Sequence, residues 1–333
     1  MVYNNIPMAD AHNDLLLGVH YQRERGYQDP FGDFWLPQLR SGGVVLQVLP
    51  VFTEEQHVGE GALRRSLLVL ETARWLAEEH RSDVAIVETS NELRKAIDNG
   101  QIAMILALEG AEPIGADVSV IDTFWRLGVR IASLTWNRRT MLADGTGESR
   151  TGGRLTTLGV EAIAEMERIG MVVDVSHLSD AGVAHVAELV SRPFVATHSA
   201  CRALQPHPRN LTDSQVEVIA ASGGFVGLNA FGPFLADDPA LAHYVDHIEH
   251  AVKLVGAEHV ALGPDFIEDL INTVDPVLGK ALVNLEDLSI LEDMARPADL
   301  AGLGPLLIDR LGESDARAVA SETMISLLER LLP

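Results

Sequence analysis

The stretch IAMILALEG, residues 102–110, begins as a run of seven apolar residues that stops at a glutamate. A continuous apolar run of this length is typical of a strand that is buried on both faces of a parallel sheet. Seven more stretches, most of them equally apolar, are predicted as strands: 6–12, 43–52, 129–136, 171–177, 193–199, 224–231 and 259–266. The sequence therefore predicts eight strands, and parallel pairing is the arrangement that suits them.

Amphipathic segments between these strands predict helices that cover the sheet. They are residues 60–80, 90–99, 118–127, 157–169, 179–190, 212–221 and 243–255. Ser90, Thr156, Ser179 and Thr212 open four of them with residue types that favour helix N-caps. Eight strands alternating with helices indicate an α/β fold of the (β/α)8 barrel type, because right-handed crossovers leave few other topologies. A doubly wound open sheet is the alternative fold.

The 333 residues are predicted to form one barrel domain with additions near its end. Residues 137–156 are rich in glycine and polar residues, which indicates a long loop after the fourth predicted strand. Residues 267–299 mix scattered apolar positions with acids and prolines, so they are expected to form an excursion after the eighth strand. Residues 300–332 are predicted as two closing helices.

Composition excludes several classes of protein. A hydrophobic fraction of 47% supports a large core and excludes a disordered chain. Lys and Arg number 25 against 48 Asp and Glu, a net charge of −23 that repels nucleic acid and anionic membranes. Cys201 is the single cysteine and has no disulfide partner within the chain. With neither a signal-peptide pattern at the start nor an apolar stretch of about 18 residues, a cytoplasmic location is expected.

Polar side chains follow the ends of the predicted strands, where the active sites of barrel enzymes lie. They are His12, Asp14, Glu109, His177, His198 and Asp265. Taken singly, each has an ordinary explanation, since His177 could cap a helix and His198 could be a hydrogen-bonded core histidine. Their convergence on one rim instead predicts a metal site.

The spacing of these residues suits two metal ions. His12 and Asp14 are two residues apart and point to the same face of a strand. His177 and His198 are 198 − 177 = 21 residues apart, one βα unit, and therefore lie on adjacent strands. Imidazole and carboxylate ligands favour zinc, with manganese, iron or cobalt as alternatives. Glu109 lies between the two pairs and could bridge ions about 3.5–4 Å apart, the arrangement of a binuclear hydrolase.

A second histidine pattern lies away from the strand ends. His243, His247 and His250 are spaced i, i+4 and i+7 on one predicted helix, which could place them on one face. That helix belongs to the outer ring of the barrel. The three histidines are therefore predicted to form an ordinary solvated or packed helix face.

Several motifs together resemble those of the renal, or membrane, dipeptidase family. They are DAHND (10–14), ALEGAEP (107–113), DVSHLSD (174–180), ATHSACRAL (196–204), HPRNLTD (207–213) and GPDF (263–266). The resemblance covers essentially the whole chain and implies a dipeptidase with two zinc ions per barrel. It further implies attack by a hydroxide that bridges the ions, a small dipeptide substrate with a D-residue tolerated at its C-terminal position, and a possible homodimer.

The resemblance also implies roles for individual residues. It assigns His12 and Asp14 to one zinc, His177 and His198 to the other, and Glu109 to both ions. Arg209 matches the arginine that binds the C-terminal carboxylate of the substrate. Asp265 matches the acid that passes a proton to the leaving amine.

One departure bears on activity. In the segment SLTWNRR, Trp136 stands where many family members have a histidine that polarises the substrate carbonyl. Either Asn137 donates a hydrogen bond in its place or the metal ions act alone, and Trp136 is then a stacking wall or part of the core. A metal-dependent amidohydrolase acting on another amide or lactam is therefore the alternative function. A catalytically inactive binding barrel is a third possibility.

Overall fold

The computed structural model describes residues 6–273 and 290–333. Its strands are β1 (Met8–Asp10), β2 (Val44–Phe52), β3 (Val84–Ile86), β4 (Ile102–Glu109), β5 (Val129–Ser133), β6 (Val172–Asp174), β7 (Ala196–Ser199), β8 (Val226–Leu228) and β9 (Val260–Leu262). All paired strands run parallel, in the order β6-β5-β4-β2-β1-β9-β8-β7. The eight strands in this order match the eight predicted ones.

The sheet closes on itself between β6 and β7. Asp174 and Val195 form a parallel bridge. The backbone N–H of Val175 donates to the carbonyl of Val195 at 2.8 Å, and that of Val195 donates to the carbonyl of Val173 at 2.9 Å. These contacts complete the ring, so the predicted (β/α)8 barrel is confirmed and the open sheet is excluded.

β3 is a ninth strand that the sequence analysis did not predict. It pairs with the first residues of β4, from Val84↔Ile102 to Ile86↔Met104, and lies outside the barrel order. Three residues are too few to produce a recognisable apolar pattern. The strand is therefore defined by its pairing with the first residues of β4.

The helices surround the barrel. They are α1 (Leu15–Glu24), α2 (Leu36–Ser41), α3 (Gly61–Glu79), α4 (Ser90–Asp98), α5 (Val120–Arg126), α6 (Thr157–Ile169), α7 (Asp180–Leu189), α8 (Asp213–Ala221), α9 (Leu241–Val255), α10 (Glu268–Thr273), α11 (Leu300–Leu311), α12 (Glu313–Arg317) and α13 (Thr323–Leu331). No helix of the described residues is both long enough and apolar enough to cross a membrane.

Helices α1 and α2 lie between β1 and β2 and were not predicted from the sequence. Residues 15–21 of α1 are all buried, so the helix has no polar face over its first two turns. Prediction by amphipathic periodicity fails for such a helix, because the signal it uses is the alternation of buried and exposed faces.

The segments predicted as additions contain short helical elements. Residues 137–156 hold a 3-10 helix at Thr146–Thr151. The region 267–299 contains α10 and 3-10 turns at Glu292–Met294 and Pro297–Asp299, while residues 274–289 lie outside the described part. At the end of the chain, α11 is followed by one helical stretch from Glu313 to Leu331 that includes a π-helical turn.

Strand β4 shows how the barrel directs its side chains. Ala103, Ile105 and Ala107 belong to the cluster of apolar side chains inside the barrel. Met104, Leu106 and Leu108 belong instead to the larger cluster that β4 shares with the surrounding helices. Side chains alternate along a strand, so Glu109 continues the inward series and lies at the mouth of the barrel.

Helix N-caps follow the prediction in three of four cases. The hydroxyls of Thr156, Ser179 and Thr212 accept backbone N–H bonds at the starts of α6, α7 and α8. The prediction of Ser90 as a cap is wrong by one residue. Thr89 caps α4 and forms a capping box with Glu92, because the backbone of Thr89 is extended and its hydroxyl reaches the N–H of Glu92.

We therefore expect Thr89→Ala to lower the free energy of unfolding by about 1 kcal/mol, the usual effect of losing a threonine N-cap. Ser90→Ala is the matched control, because the Ser90 hydroxyl makes only an exposed bond to the carbonyl of Pro333. Urea unfolding of both variants measures the difference. An equal or larger loss in Ser90→Ala would contradict the assignment.

Candidate active site

The six polar residues at the predicted strand ends converge at the mouth of the barrel. His12 lies at the centre of one half. Its Nε2 is 3.6 Å from Asp14 Oδ2, 3.5 Å from Glu109 Oε2 and 3.9 Å from Asp265 Oδ1. These side chains are buried or nearly so, and three carboxylates therefore surround one imidazole nitrogen.

The other half of the site contains His177 and His198. The Nε2 atom of His177 is 3.0 Å from Glu109 Oε1, and that of His198 is 3.6 Å from the same oxygen. The two Nε2 atoms are 2.8 Å apart. Glu109 therefore directs one carboxylate oxygen toward each half of the site.

Several buried polar atoms in this cluster have no hydrogen-bond partner. They include His12 Nε2, Asp14 Oδ1 and Glu109 Oε2. A buried polar atom without a partner costs on the order of 1–3 kcal/mol, and more if it is charged. Ligand atoms of His12 lie close to those of Glu109 and His198 and, on another side, to those of Asp14 and Asp265, so that each group could hold a cation. Nitrogen and carboxylate oxygen are ligands that zinc and related ions accept. The residues present therefore fit a metal centre.

The outer ring nitrogens of two histidines are held by hydrogen-bond acceptors. The hydroxyl of Thr197 donates to Asp174 Oδ2 at 2.6 Å, so its oxygen accepts from His198 Nδ1 at 2.9 Å. Asn137 Oδ1 is 2.8 Å from His177 Nδ1 and accepts from it when that nitrogen carries the proton. A proton on both Nδ1 atoms leaves lone pairs on both Nε2 atoms, the state in which histidine binds a metal.

Asp174 and Thr197 are functional residues that were not predicted from the sequence. Both lie inside the quoted motifs, one in DVSHLSD and the other in ATHSACRAL. In the sequence, Thr197 directly precedes His198, and Asp174 lies three residues before His177. Only the closure of the barrel between β6 and β7 brings that carboxylate to that hydroxyl.

The cluster shifts the pKa values of its members in opposite directions. Burial, reinforced by the Asp14 carboxylate, raises the pKa of Glu109 to about 7. Burial lowers the pKa of His12, but Glu109 and Asp14 outweigh it and raise that pKa well above its usual value. Burial, followed by the charge of Arg209, lowers the pKa of His177 well below its usual value. His177 is therefore neutral, the form in which histidine binds a metal, whereas His12 carries a proton that a bound cation would have to displace.

Backbone strain is confined to two members of the cluster. Among the described residues other than glycine, only His177 (φ 66°) and Asp265 (φ 62°) have positive φ. Such conformations cost on the order of 1–3 kcal/mol and persist where the surrounding structure enforces them, often at functional sites. Here the strain directs two side chains into the mouth of the barrel.

Arg209 is buried behind His177. Its Nη1 donates to Ser199 Oγ at 2.9 Å and its Nη2 donates to the carbonyl of His198 at 2.7 Å. Its Nε lies 3.0 Å from His177 Nδ1. When that Nδ1 carries the proton, it cannot accept from Arg209, and the Nε–H is then available to another acceptor.

A cavity opens over the cluster. Its polar lining comes from Asp14, Glu109, Asn137, His177 and Asp265. Trp136 also lines the cavity and packs edge-on against Phe52, with ring centroids 5.4 Å apart. Of the two alternatives for Trp136, the structure therefore supports a wall of the pocket.

The three histidines of α9 make separate local contacts. His243 accepts the backbone N–H of Ala240, and His250 pairs with Asp213 at 2.9 Å. His247 is buried, accepts from the N–H of Cys201 and meets the carbonyl of Leu235. These contacts agree with the predicted packed helix face.

A parallel barrel with histidines and carboxylates at the carboxyl ends of its strands is an architecture of metal-dependent hydrolases. The family model for membrane dipeptidase, peptidase family M19, matches residues 1–283, and the chain belongs to this family of metallopeptidases. The resemblance seen in the sequence is thereby confirmed. Membership also implies a metal cofactor, which the cluster described above fits.

Individual relatives agree with this assignment. Dipeptidase verJ of Clonostachys rogersoniana is 33% identical over 207 residues, covering 62% of this chain and 53% of that protein. The match thus spans about half the length of that relative. The solved structure of the metallopeptidase dipeptidase AC has a TM-score of 0.86 at 28% identity and covers 99% of both chains.

A metallopeptidase from Rhodobacter sphaeroides was solved with a phosphinate mimic of the dipeptide L-Ala-D-Ala. It matches this chain with a TM-score of 0.86 at 27% identity, covering 98% of this chain and all of that one.

Thr197→Val should weaken metal binding by about 10- to 100-fold, because the variant removes the acceptor that holds His198 Nδ1. Titration of metal-free protein with zinc against a competing chelator measures the affinity. Thr123→Val is the control, since Thr123 is exposed on α5 and lies outside the cluster. Unchanged affinity in Thr197→Val would show that the hydroxyl does not orient the ring.

Proposed function

We propose that this protein is a zinc-dependent dipeptidase that holds two ions at the mouth of its barrel. The observation that carries the proposal is the position of Glu109, which directs one carboxylate oxygen toward His12 and the other toward His177 and His198. A carboxylate shared between two sets of ligands can bridge the two ions of a binuclear centre.

The proposed ligand sets are those that the family resemblance implies. His12 and Asp14 would hold one ion, His177 and His198 the other, and Glu109 both. When bound, the ions would lower the pKa of water and polarise the carbonyl of the scissile bond. Asn137 and Thr197 would act as positioning residues, because they fix the ring nitrogens that face away from the metals.

Asp265 is proposed to move the proton. Burial raises the pKa of its carboxyl group above its usual value, so this carboxylate takes up a proton more readily than an exposed aspartate does. The amide of Asn229 donates to Asp265 Oδ2 at 3.0 Å, and Oδ1 lies on the side of His12. This orientation suits transfer of a proton from water to the departing amine.

Arg209 is proposed to bind the C-terminal carboxylate of the dipeptide. A guanidinium group has five N–H donors, and two of them are used by Ser199 and the carbonyl of His198. The remaining donors are sufficient for a carboxylate, and the planar geometry of the group suits that partner. A cationic site for the carboxylate would also restrict the substrate to two residues.

The substrate is proposed to be a small dipeptide that can carry a D-residue at its C-terminal position. Support comes from the matched metallopeptidase of Rhodobacter sphaeroides, which was solved with a mimic of L-Ala-D-Ala. Assays on L-L and L-D dipeptides compare the two stereochemistries directly.

Removal of the metal should abolish release of amino acids from dipeptides, and zinc should restore it.

Asp265→Asn should lower kcat by about 10²- to 10⁴-fold, the usual contribution of a general acid or base. The control is Asp309→Asn, an exposed position on α11. Metal-replete protein that hydrolyses other amides or lactams but no dipeptide would support the amidohydrolase alternative. The absence of any amide turnover would support the inactive barrel.

Arg209→Lys should lower kcat/KM for a dipeptide by about 10- to 100-fold, because lysine keeps the charge but loses the planar set of donors. The native enzyme should reject a dipeptide amide, and the variant should discriminate less between the amide and the free acid. The control is Arg126→Lys, an exposed position on α5. Equal discrimination by native and variant enzymes, at equal metal content, would contradict the proposed role.

A further inference from the structure

Seven apolar side chains are among the described residues that line the cavity, and four of them form one part of its surface because they pack into a single cluster. Leu17, Phe52, Trp136 and Leu270 line it, and we call these four residues the apolar wall. They pack together with Tyr21 in a cluster separate from the two larger cores. The wall is therefore a property of the cavity and not an extension of the barrel interior.

The members of the apolar wall come from four different places in the fold. Leu17 belongs to α1, Phe52 ends β2, Trp136 follows β5, and Leu270 belongs to α10. Each is less than a tenth exposed, and Trp136 is the most exposed at 8%. Their convergence gives the cavity an apolar surface that can remove a further apolar group from water.

The apolar wall adjoins the carboxylate side of the site. Leu17 lies one helical turn after Asp14, and its backbone N–H donates to the Asp14 carbonyl at 3.0 Å. Phe52 is the register partner of Glu109 across β2 and β4. The wall therefore flanks the half of the site that carries the greatest negative charge.

Arg209 lies on a different side of the site, next to His198. Its guanidinium contacts Ser199 and the carbonyl of His198, and it lies 5.9 Å from the centre of the Phe234 ring. A zwitterionic dipeptide would place its ammonium group toward the carboxylates and its carboxylate toward Arg209. In that orientation, the side chain of the N-terminal residue lies against the apolar wall.

We propose that the apolar wall selects dipeptides whose N-terminal residue has a large apolar or aromatic side chain. This inference rests on the proposed dipeptidase function and names the substrate class of the same site. An acidic N-terminal side chain would lose its hydration against the apolar wall without gaining a partner. No lysine or arginine belongs to the apolar wall to pair with such a charge.

Hydrolysis of paired dipeptides tests the selection. The zinc-loaded enzyme is assayed with Leu-Gly and Phe-Gly, with the reversed Gly-Leu and Gly-Phe, and with Asp-Gly. We expect kcat/KM for Leu-Gly and Phe-Gly to exceed that of the reversed dipeptides and of Asp-Gly by at least about tenfold. Equal rates within each pair, or faster turnover of the reversed dipeptides, would overturn the inference.

Variants of the apolar wall test whether the wall causes the selection. Leu17→Ala and Trp136→Ala should each reduce the ratio of Leu-Gly to Gly-Leu turnover by about tenfold, because each removes surface that the leucine side chain contacts. Leu67→Ala on α3 is the control, since Leu67 is 42% exposed and lies outside the cavity. An unchanged ratio in both wall variants would assign the selection to another surface and contradict the inference.

A binding measurement separates this inference from the proposed function. Non-hydrolysable ketomethylene analogues of Leu-Gly and Gly-Leu are titrated into the zinc-loaded protein by calorimetry. Tighter binding of the Leu-Gly analogue with no dipeptide turnover would retain the apolar selection and overturn the dipeptidase function. Turnover of dipeptides with equal binding of the two analogues would retain the dipeptidase function and overturn the apolar selection. If neither analogue binds and neither dipeptide is hydrolysed, both are wrong.

Discussion

The buried carboxylate of Glu109 is the constraint around which the mouth of the barrel is organised. Its oxygens lie 3.0 Å from His177 Nε2, 3.5 Å from His12 Nε2 and 3.6 Å from His198 Nε2, and the residue is only 5% exposed. A buried carboxylate costs several kcal/mol unless other groups compensate for the lost water. The parallel barrel supplies this compensation by directing groups from separate strands to one point, and the proposed metal ions would complete it.

Rigidity of the surrounding groups follows from the same constraint. Thr197 and Asp174 fix the ring of His198, and Asn137 is positioned to fix that of His177. Positive φ at His177 shows that the backbone itself is held in an unfavourable conformation to direct this ring. Such preorganisation keeps the ligand nitrogens in place, so that metal binding requires little rearrangement of the protein.

The fold could be predicted largely because each barrel strand is locally distinctive. In β4, seven apolar residues precede Glu109, and alternation alone directs that carboxylate into the barrel. Prediction failed where a segment lacked an exposed face, as in α1, or was too short to show a pattern, as in β3. The cap of α4 was displaced by one residue, since Thr89 and Ser90 are both suitable caps and only the backbone conformation distinguishes them.

The sequence by itself determined the strands, their polar ends and the family, because those depend on short motifs and on the burial of each segment. Only the tertiary structure decided that Trp136 lines the cavity beside Phe52, that Asp174 meets Thr197, and that Arg209 lies behind His177. These contacts join residues from different βα units, and barrel closure sets the distances between them. Local periodicity records whether a side chain is buried, but it does not record which distant side chain it will contact.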